Sequence, residues 1–261
     1  MQHHDDTLAG FVARESARDD AVAVVVTGSV ARGTPRPDSD VDVYLVVGEE
    51  RFRTAWETGL VSYVDSAVAT YEGGYVDVKL ATVEFLRRAV EAADDPTRAS
   101  FLTARVAWSR DPSIEELVAA IPQLPDDAWA ERGRAFLAQL RLYVRYFLLQ
   151  GEAHDNTYLR SWAAVHAVNA GGRALLALNR TLFQGPKYLE ETVPGLPRVP
   201  AGYAELAAAL LREPTAAHGR AYAEAIEGLH DWDLDRDATL SRFVRDNELA
   251  WLTGAVPPEF S

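Results

Sequence analysis

The sequence predicts an α+β protein, with a mixed-sheet domain followed by an all-α helical bundle. Three observations predict it. Short runs of β-branched residues alternate with helical stretches over the first part of the chain. Strand-like runs then vanish after Ile121-Pro-Gln-Leu-Pro-Asp-Asp. Long amphipathic repeats take over and continue to the C-terminus. The boundary is placed at Pro122 to Asp127, giving domains 1–122 and 123–261.

Each element has its own signal. Leu8, Phe11 and Val12 recur at helical spacing within Asp5 to Arg18. Ala21 to Thr27 is an apolar, valine-rich run without polar interruption, the pattern of a strand covered on both faces. Val41 to Val47 is a second such strand, closed by Gly48. A mixed helical stretch follows over Arg51 to Leu60, and Tyr75 to Thr82 is the third strand. Val83 to Ala93 is a helix with Phe85, Leu86 and Val90 on one side. A short apolar piece, Ala104 to Ser109, precedes Asp111. In the second half, Trp129 to Gln150 carries Phe136, Leu137, Leu140, Val144, Phe147 and Leu148 at helical spacing, with Gly151 as its stop. Thr157 to Asn179 is a second helix, and a proline-rich segment, Gln184 to Pro200, interrupts the pattern. Further helices are expected over Tyr203 to Leu211, Ala216 to Leu229 and Thr239 to Leu252.

Composition narrows the function classes. There is no cysteine, so disulfides, thiolate zinc sites and thiol catalysis are excluded. The formal net charge of -13 repels nucleic acid over most of the surface. It favours neutral or cationic partners, or a phosphate ligand whose charge a metal neutralises. The N-terminal segment lacks an apolar signal core, and no apolar run is long enough to span a bilayer. A soluble cytoplasmic protein with no membrane partner is expected. A homodimer stays open.

Chemistry concentrates in Thr27 to Val47. A buried strand ends at Gly28-Ser29, where glycine permits close backbone approach and a following helix N-terminus offers free amides to an anion. Ser29 adds a hydroxyl donor, and Gly33 permits a second close approach or a positive φ. Asp40 and Asp42 open the next strand. Side chains at i and i+2 share a face, so two carboxylates converge. Like charges so placed are unfavourable without a cation, and hard oxygen donors suit Mg²⁺. Asp77 lies in an otherwise apolar strand on the same face as Lys79, and nearness to Asp40 and Asp42 would explain an aspartate there. Three carboxylates could hold two metal ions for an in-line phosphoryl displacement.

Gly28-Ser29, Gly33 and Ser39-Asp40-Val41-Asp42, with an apolar strand behind, resemble the signature of the DNA polymerase β-type nucleotidyltransferases. Small single-chain members such as the aminoglycoside nucleotidyltransferases, an α/β domain followed by a helical domain, are the nearest likeness. The likeness in motif covers roughly the first 110 residues. It implies that Gly28 and Ser29 bind triphosphate and that Asp40 and Asp42 are metal ligands. Asp77 would be the third carboxylate, as ligand, general base or both. It also implies one or two Mg²⁺ ions, ATP or another nucleoside triphosphate as co-substrate, and a small-molecule acceptor bound in a cleft between the domains. A regulatory, antitoxin-like protein that modifies or binds a protein or tRNA partner is the alternative, as is a nucleotide-binding domain without turnover.

Other residues carry open alternatives. Lys79 is a surface lysine or a phosphate contact. Arg180, Lys187 and Tyr188 either reach toward the nucleotide or belong to a helix end with a Gly-Pro turn. Asn156 reads as a helix N-cap, with Glu152, His154 and Asp155 as alternative cleft residues. Arg160 and His166 have the spacing of a motif that resembles helical HEPN-type ribonucleases, a loose pattern that the acidic balance opposes.

Overall fold

The computed structural model describes residues 1–258. It divides into two compact units, Met1–Gln123 and the described residues from Leu124 onward. The first runs α1 (Gln2–Ser16), β1 (Ala21–Val26), α2 (Gly28–Arg32), β2 (Val41–Val47), α3 (Glu49–Thr58), β3 (Ser62–Asp65), β4 (Val76–Ala81), α4 (Val83–Ala92), α5 (Asp95–Ser100), β5 (Arg105–Ser109) and α6 (Ser113–Ala120).

The strand order is β3-β4-β2-β1-β5. Only β2 and β4 pair in parallel, so the sheet is mixed. The uninterrupted valine runs of β1 and β2 arise because both faces of the sheet are covered. On one face Val24, Val26, Val41, Val43 and Leu45 pack with Leu8 and Phe11 of α1. On the other, Ala23, Val25, Tyr44 and Val46 pack with Leu86 of α4, Phe101 and Ile114 of α6. Burying each of these larger side chains contributes about 1.5–3 kcal/mol, enough to fix the strand register.

Two strands go beyond the three expected from sequence. Strand β3 is a four-residue edge strand with no buried residue, so it gives no hydrophobic run. The apolar piece before Asp111 is β5, which pairs with β1 at the opposite edge. The strand predicted as third is therefore β4.

The second unit is all helical. It contains α7 (Asp126–Leu142), a π-helical turn at Tyr143–Phe147, α8 (Leu148–Ala153), α9 (Thr157–Leu178), α10 (Leu189–Thr192), α11 (Tyr203–Arg212), α12 (Ala216–Glu227) and α13 (Thr239–Phe243), followed by a second π-helical turn at Val244–Glu248. Phe136, Leu140, Tyr143, Leu148, Ala167, Leu175, Tyr222 and Ile226 form its core. Asn156 caps α9, its side chain accepting from Leu159 N–H at 3.0 Å.

Three helix boundaries differ from expectation. The helix predicted from Trp129 starts at Asp126, where Asp126 and Asp127 face the positive end of the helix dipole. Gly151 is not a stop: it lies inside α8, where a Cβ would come within 2.9 Å of the Arg160 backbone nitrogen. The glycine serves the close approach of α8 to the start of α9. The helix predicted over Thr239 to Leu252 breaks into α13, the π-helical turn and a 3-10 turn at Ala250–Leu252. Among the described residues, no helix is long and apolar enough to cross a membrane.

Candidate active site

Parallel pairing of β2 with β4 sets Asp42 directly beside Asp77. Their neighbours Val41, Val43, Val76 and Val78 point into the core on one face, so both carboxylates project from the other. Asp40 sits two residues before Asp42, at the mouth of β2. One carboxylate oxygen from each of Asp40, Asp42 and Asp77 lies within 4.8 Å of the others, and all three residues are half-buried. At that separation each pair of charges repels by about 1 kcal/mol in bulk water and by about 3–4 kcal/mol at an effective dielectric of about 20. Burial, followed by the charges of Asp40 and Asp77, pushes the Asp42 carboxyl above its usual range. Lys79 and Arg32 pull it the other way.

Gly28 explains how Asp42 fits. Its φ of 66° is left-handed. A Cβ built there would lie 1.9 Å from Asp42 Oδ2, so only glycine leaves room for the carboxylate. Thr27 N–H donates to the Asp42 carbonyl at 2.9 Å, which joins the end of β1 to the acidic strand. The first-turn amides of α2 have no partner inside the helix by geometry. Gly33 ends α2 at φ 75°, donating its N–H to Val30 O at 3.2 Å. Nothing lies within 4 Å of its built Cβ, so of the two readings of Gly33 the structure shows the positive φ.

Sequence reasoning missed the residues that hold the loop before Asp40. His4, fully buried, donates from Nε2 to the Ser39 carbonyl at 3.1 Å. The Tyr71 hydroxyl donates to the same oxygen. His3 Nε2 reaches the Pro37 carbonyl at 3.1 Å, and the three rings pack together. Burial first, then the charge of His3, holds His4 below the usual histidine range, consistent with a neutral ring whose Nδ1 has no partner. Tyr75 hydrogen-bonds Asp40, and the Asp40 charge raises its phenol. The paired histidines at the N-terminus were the only available signal, and no local pattern ties them to a loop over 30 residues away.

Of the residues singled out from sequence, Asp40, Asp42, Asp77, Gly28 and Ser29 come together at one end of the sheet. Lys79 is exposed on the face of Asp77, its ammonium 5.8 Å from the Tyr44 ring centre. Lys187 lies in the second unit, above the Tyr188 ring. Arg180 pairs with Asp126 at 3.0 Å and Arg160 with Asp155 at 3.3 Å. His166 sits against the Tyr143 and Trp162 rings. Glu152 accepts from Ala216 N–H at 3.1 Å.

A mixed sheet carrying a carboxylate triad at the end of a parallel strand pair, beside a glycine turn, defines the class of domain. Residues 7–98 match the family described as nucleotidyltransferase domain. The first unit thus carries a nucleotidyltransferase domain. No curated protein sequence matches it. Among solved structures it is similar to a nucleotidyltransferase-like protein from Exiguobacterium sibiricum 255-15, with 11% identity and a TM-score of 0.50 over 93% of this chain and 77% of that one. It also aligns with a spectinomycin adenyltransferase from Enterococcus faecialis crystallised with ATP and spectinomycin, at 10% identity and a TM-score of 0.37, over 87% of this chain and 99% of that one. The first likeness is one of fold.

Proposed function

We propose that the chain transfers a nucleoside monophosphate, most simply AMP from ATP, to a hydroxyl of a small neutral or cationic acceptor. The observation that carries this is the meeting of Asp40, Asp42 and Asp77 within 4.8 Å, beside a glycine whose missing Cβ makes room for one of them. Three hard anionic donors so close, with Lys79 and Arg32 offsetting part of the charge around Asp42, fit one or two Mg²⁺ ions. Bound there, the metal would neutralise the triphosphate and polarise its α-phosphoryl group.

The chain's own residues perform the remaining tasks. Amides at Gly28 and Ser29 and the Ser29 hydroxyl receive phosphate oxygens. Asp77, on the open face of β4, accepts the proton of the acceptor hydroxyl. The acceptor oxygen then forms a bond to the α-phosphorus as the bond from that phosphorus to the bridging oxygen breaks. Pyrophosphate leaves with that oxygen, and its charge is met by Lys79. The excess of acidic side chains, net -13, draws a cationic acceptor toward the protein.

The decisive measurement is pyrophosphate release with each of the four nucleoside triphosphates across a panel of cationic, neutral and anionic hydroxyl compounds. Release that needs both Mg²⁺ and a cationic or neutral hydroxyl is expected. Saturable Mg-ATP binding without release across the whole panel would leave a binding domain and remove the transfer reaction.

A further inference from the structure

In the helical unit three guanidiniums share one carboxylate. Glu227 lies 3.3 Å from Arg141 Nη2, 2.9 Å from Arg145 Nη2 and 3.5 Å from Arg236 Nη2. Among the described residues, no other carboxylate pairs with any of the three. Glu227 pairs directly with all three of these charges and balances one of them, within a chain of net charge -13. Arg141 is fixed: its Nη1 donates to the Leu234 carbonyl at 2.9 Å and to Thr239 Oγ1 at 3.1 Å. Its buried Nε has no partner. Arg145 and Arg236 are open to solvent, with side chains 43% and 68% exposed.

These arginines line a cavity of about 490 Å³, within the range of about 300–1,000 Å³ typical of small-molecule sites. The rest of its wall carries Glu248 and Thr239 beside the larger apolar surfaces of Tyr146, Phe147 and Leu240, so the arginines still outnumber the carboxylates there. Tyr146 and Phe147 come from the first π-helical turn, a local widening that recurs at functional sites. Tyr146 and Leu240 are more than half exposed, at 52% and 60%, which leaves an aromatic and an aliphatic surface open beside the charges. Guanidinium forks match phosphate oxygens in geometry.

We propose that this cavity is a second ligand site, separate from the carboxylate triad, that takes a small aromatic phosphomonoester. The phosphate lies on Arg145 and Arg236, and the ring lies against Tyr146 and Leu240. A nucleoside monophosphate has this chemistry.

The test uses phenyl phosphate and AMP, titrated calorimetrically into the full chain carrying Asp40→Asn with Asp42→Asn. That background separates the result from any failure of the transfer reading, because it disables the triad first. One saturable site per chain is expected. Arg145→Gln with Arg236→Gln, both at exposed positions, should weaken binding at least tenfold. Phenol and inorganic phosphate should each bind at least tenfold more weakly than phenyl phosphate. No saturable binding, equal binding to the double arginine variant, or equal binding of phenol would overturn the proposal. Phenyl phosphate that bound only when Asp40 and Asp42 were intact would overturn it as well.

Discussion

Two charge clusters in this chain are near mirror images. At the end of the sheet, three carboxylates meet, and Lys79 and Arg32 moderate the charge around Asp42. In the helical unit, three guanidiniums meet on Glu227. The second cluster contains its own counter-ion and closes into a hydrogen-bonded network. Among the described residues, the first has no cation in a direct ion pair with it, and Lys79 and Arg32 act on it from further away. Folding tolerates the guanidinium cluster because arginine is weakly hydrated and Glu227 anchors it. It tolerates the carboxylates only by leaving them half-buried and by giving up a side chain at position 28. A cluster that is unfavourable without an external cation fits one, as the proposed transfer requires. The excess charge of the other is modest and suits a weaker ligand.

The largest expected effect comes from removing one charge of the triad. Asp42→Asn should lower the rate of pyrophosphate release by about 10³-fold or more, equivalent to about 4 kcal/mol of barrier. The same variant should be more stable than the parent without metal, by about 1–3 kcal/mol, because it relieves repulsion at that spacing. Thermal melts with and without Mg²⁺ would show both effects. The parent should gain stability from Mg²⁺ and the variant should not. A metal-free Asp42→Asn protein that melts below the parent would mean that the triad is internally compensated and the two clusters are alike.

Gly28→Ala tests the same corner through the backbone. A left-handed alanine costs about 1–2 kcal/mol. The added methyl must also push Asp42 aside, since it would start 1.9 Å from Oδ2. A displacement on the order of 1 Å costs about 10²-fold in rate. The check is kcat at saturating Mg-ATP together with a denaturation midpoint. A fully active, destabilised Gly28→Ala enzyme would show that the carboxylate is free to move without consequence.

The triad was legible because strand periodicity is local. Asp40 and Asp42 are two residues apart, so their shared face follows from the pleat, and the apolar residues around Asp77 mark it as anomalous. The Gly28 clash with Asp42 was only half legible: a glycine after a buried strand indicates close approach, but its partner proved to be a carboxylate of the chain itself. Strand β3 was hidden because an edge strand without buried residues shows no hydrophobic pattern. Gly151 was misread because a glycine that ends a helix and one that admits a neighbouring helix are identical in sequence. The Glu227 cluster draws on α7, the first π-helical turn, the end of α12 and the segment before α13. Only packing within the helical unit brings those pieces together.

Gly151→Ala sharpens the contrast from the helical side. Its Cβ would meet Arg160 Cγ at 2.8 Å and the Arg160 backbone nitrogen at 2.9 Å. The backbone contact cannot swing away, so about 1–3 kcal/mol of stability should be lost. The Mg²⁺-dependent gain in melting temperature should be unchanged, because the triad belongs wholly to the other unit. Loss of that metal response in Gly151→Ala would tie the two units energetically and undo the separation drawn here.

The smallest effect is expected at His4, where the balance of terms is informative. His4→Leu removes one of two donors to the Ser39 carbonyl, and a hydrogen bond of this kind contributes about 1 kcal/mol. The same change also removes a buried Nδ1 that has no partner, which offsets the loss in stability. The melting temperature should therefore move little. What changes is how firmly the loop entering Asp40 is held, so the KM for Mg-ATP should rise about fivefold with kcat nearly constant. His4→Gln, which retains a side-chain N–H near the Nε2 position, should restore most of it. A His4→Leu enzyme with both constants unaltered would show that Tyr71 alone holds the loop, and that the buried histidine serves packing rather than the carboxylate cluster.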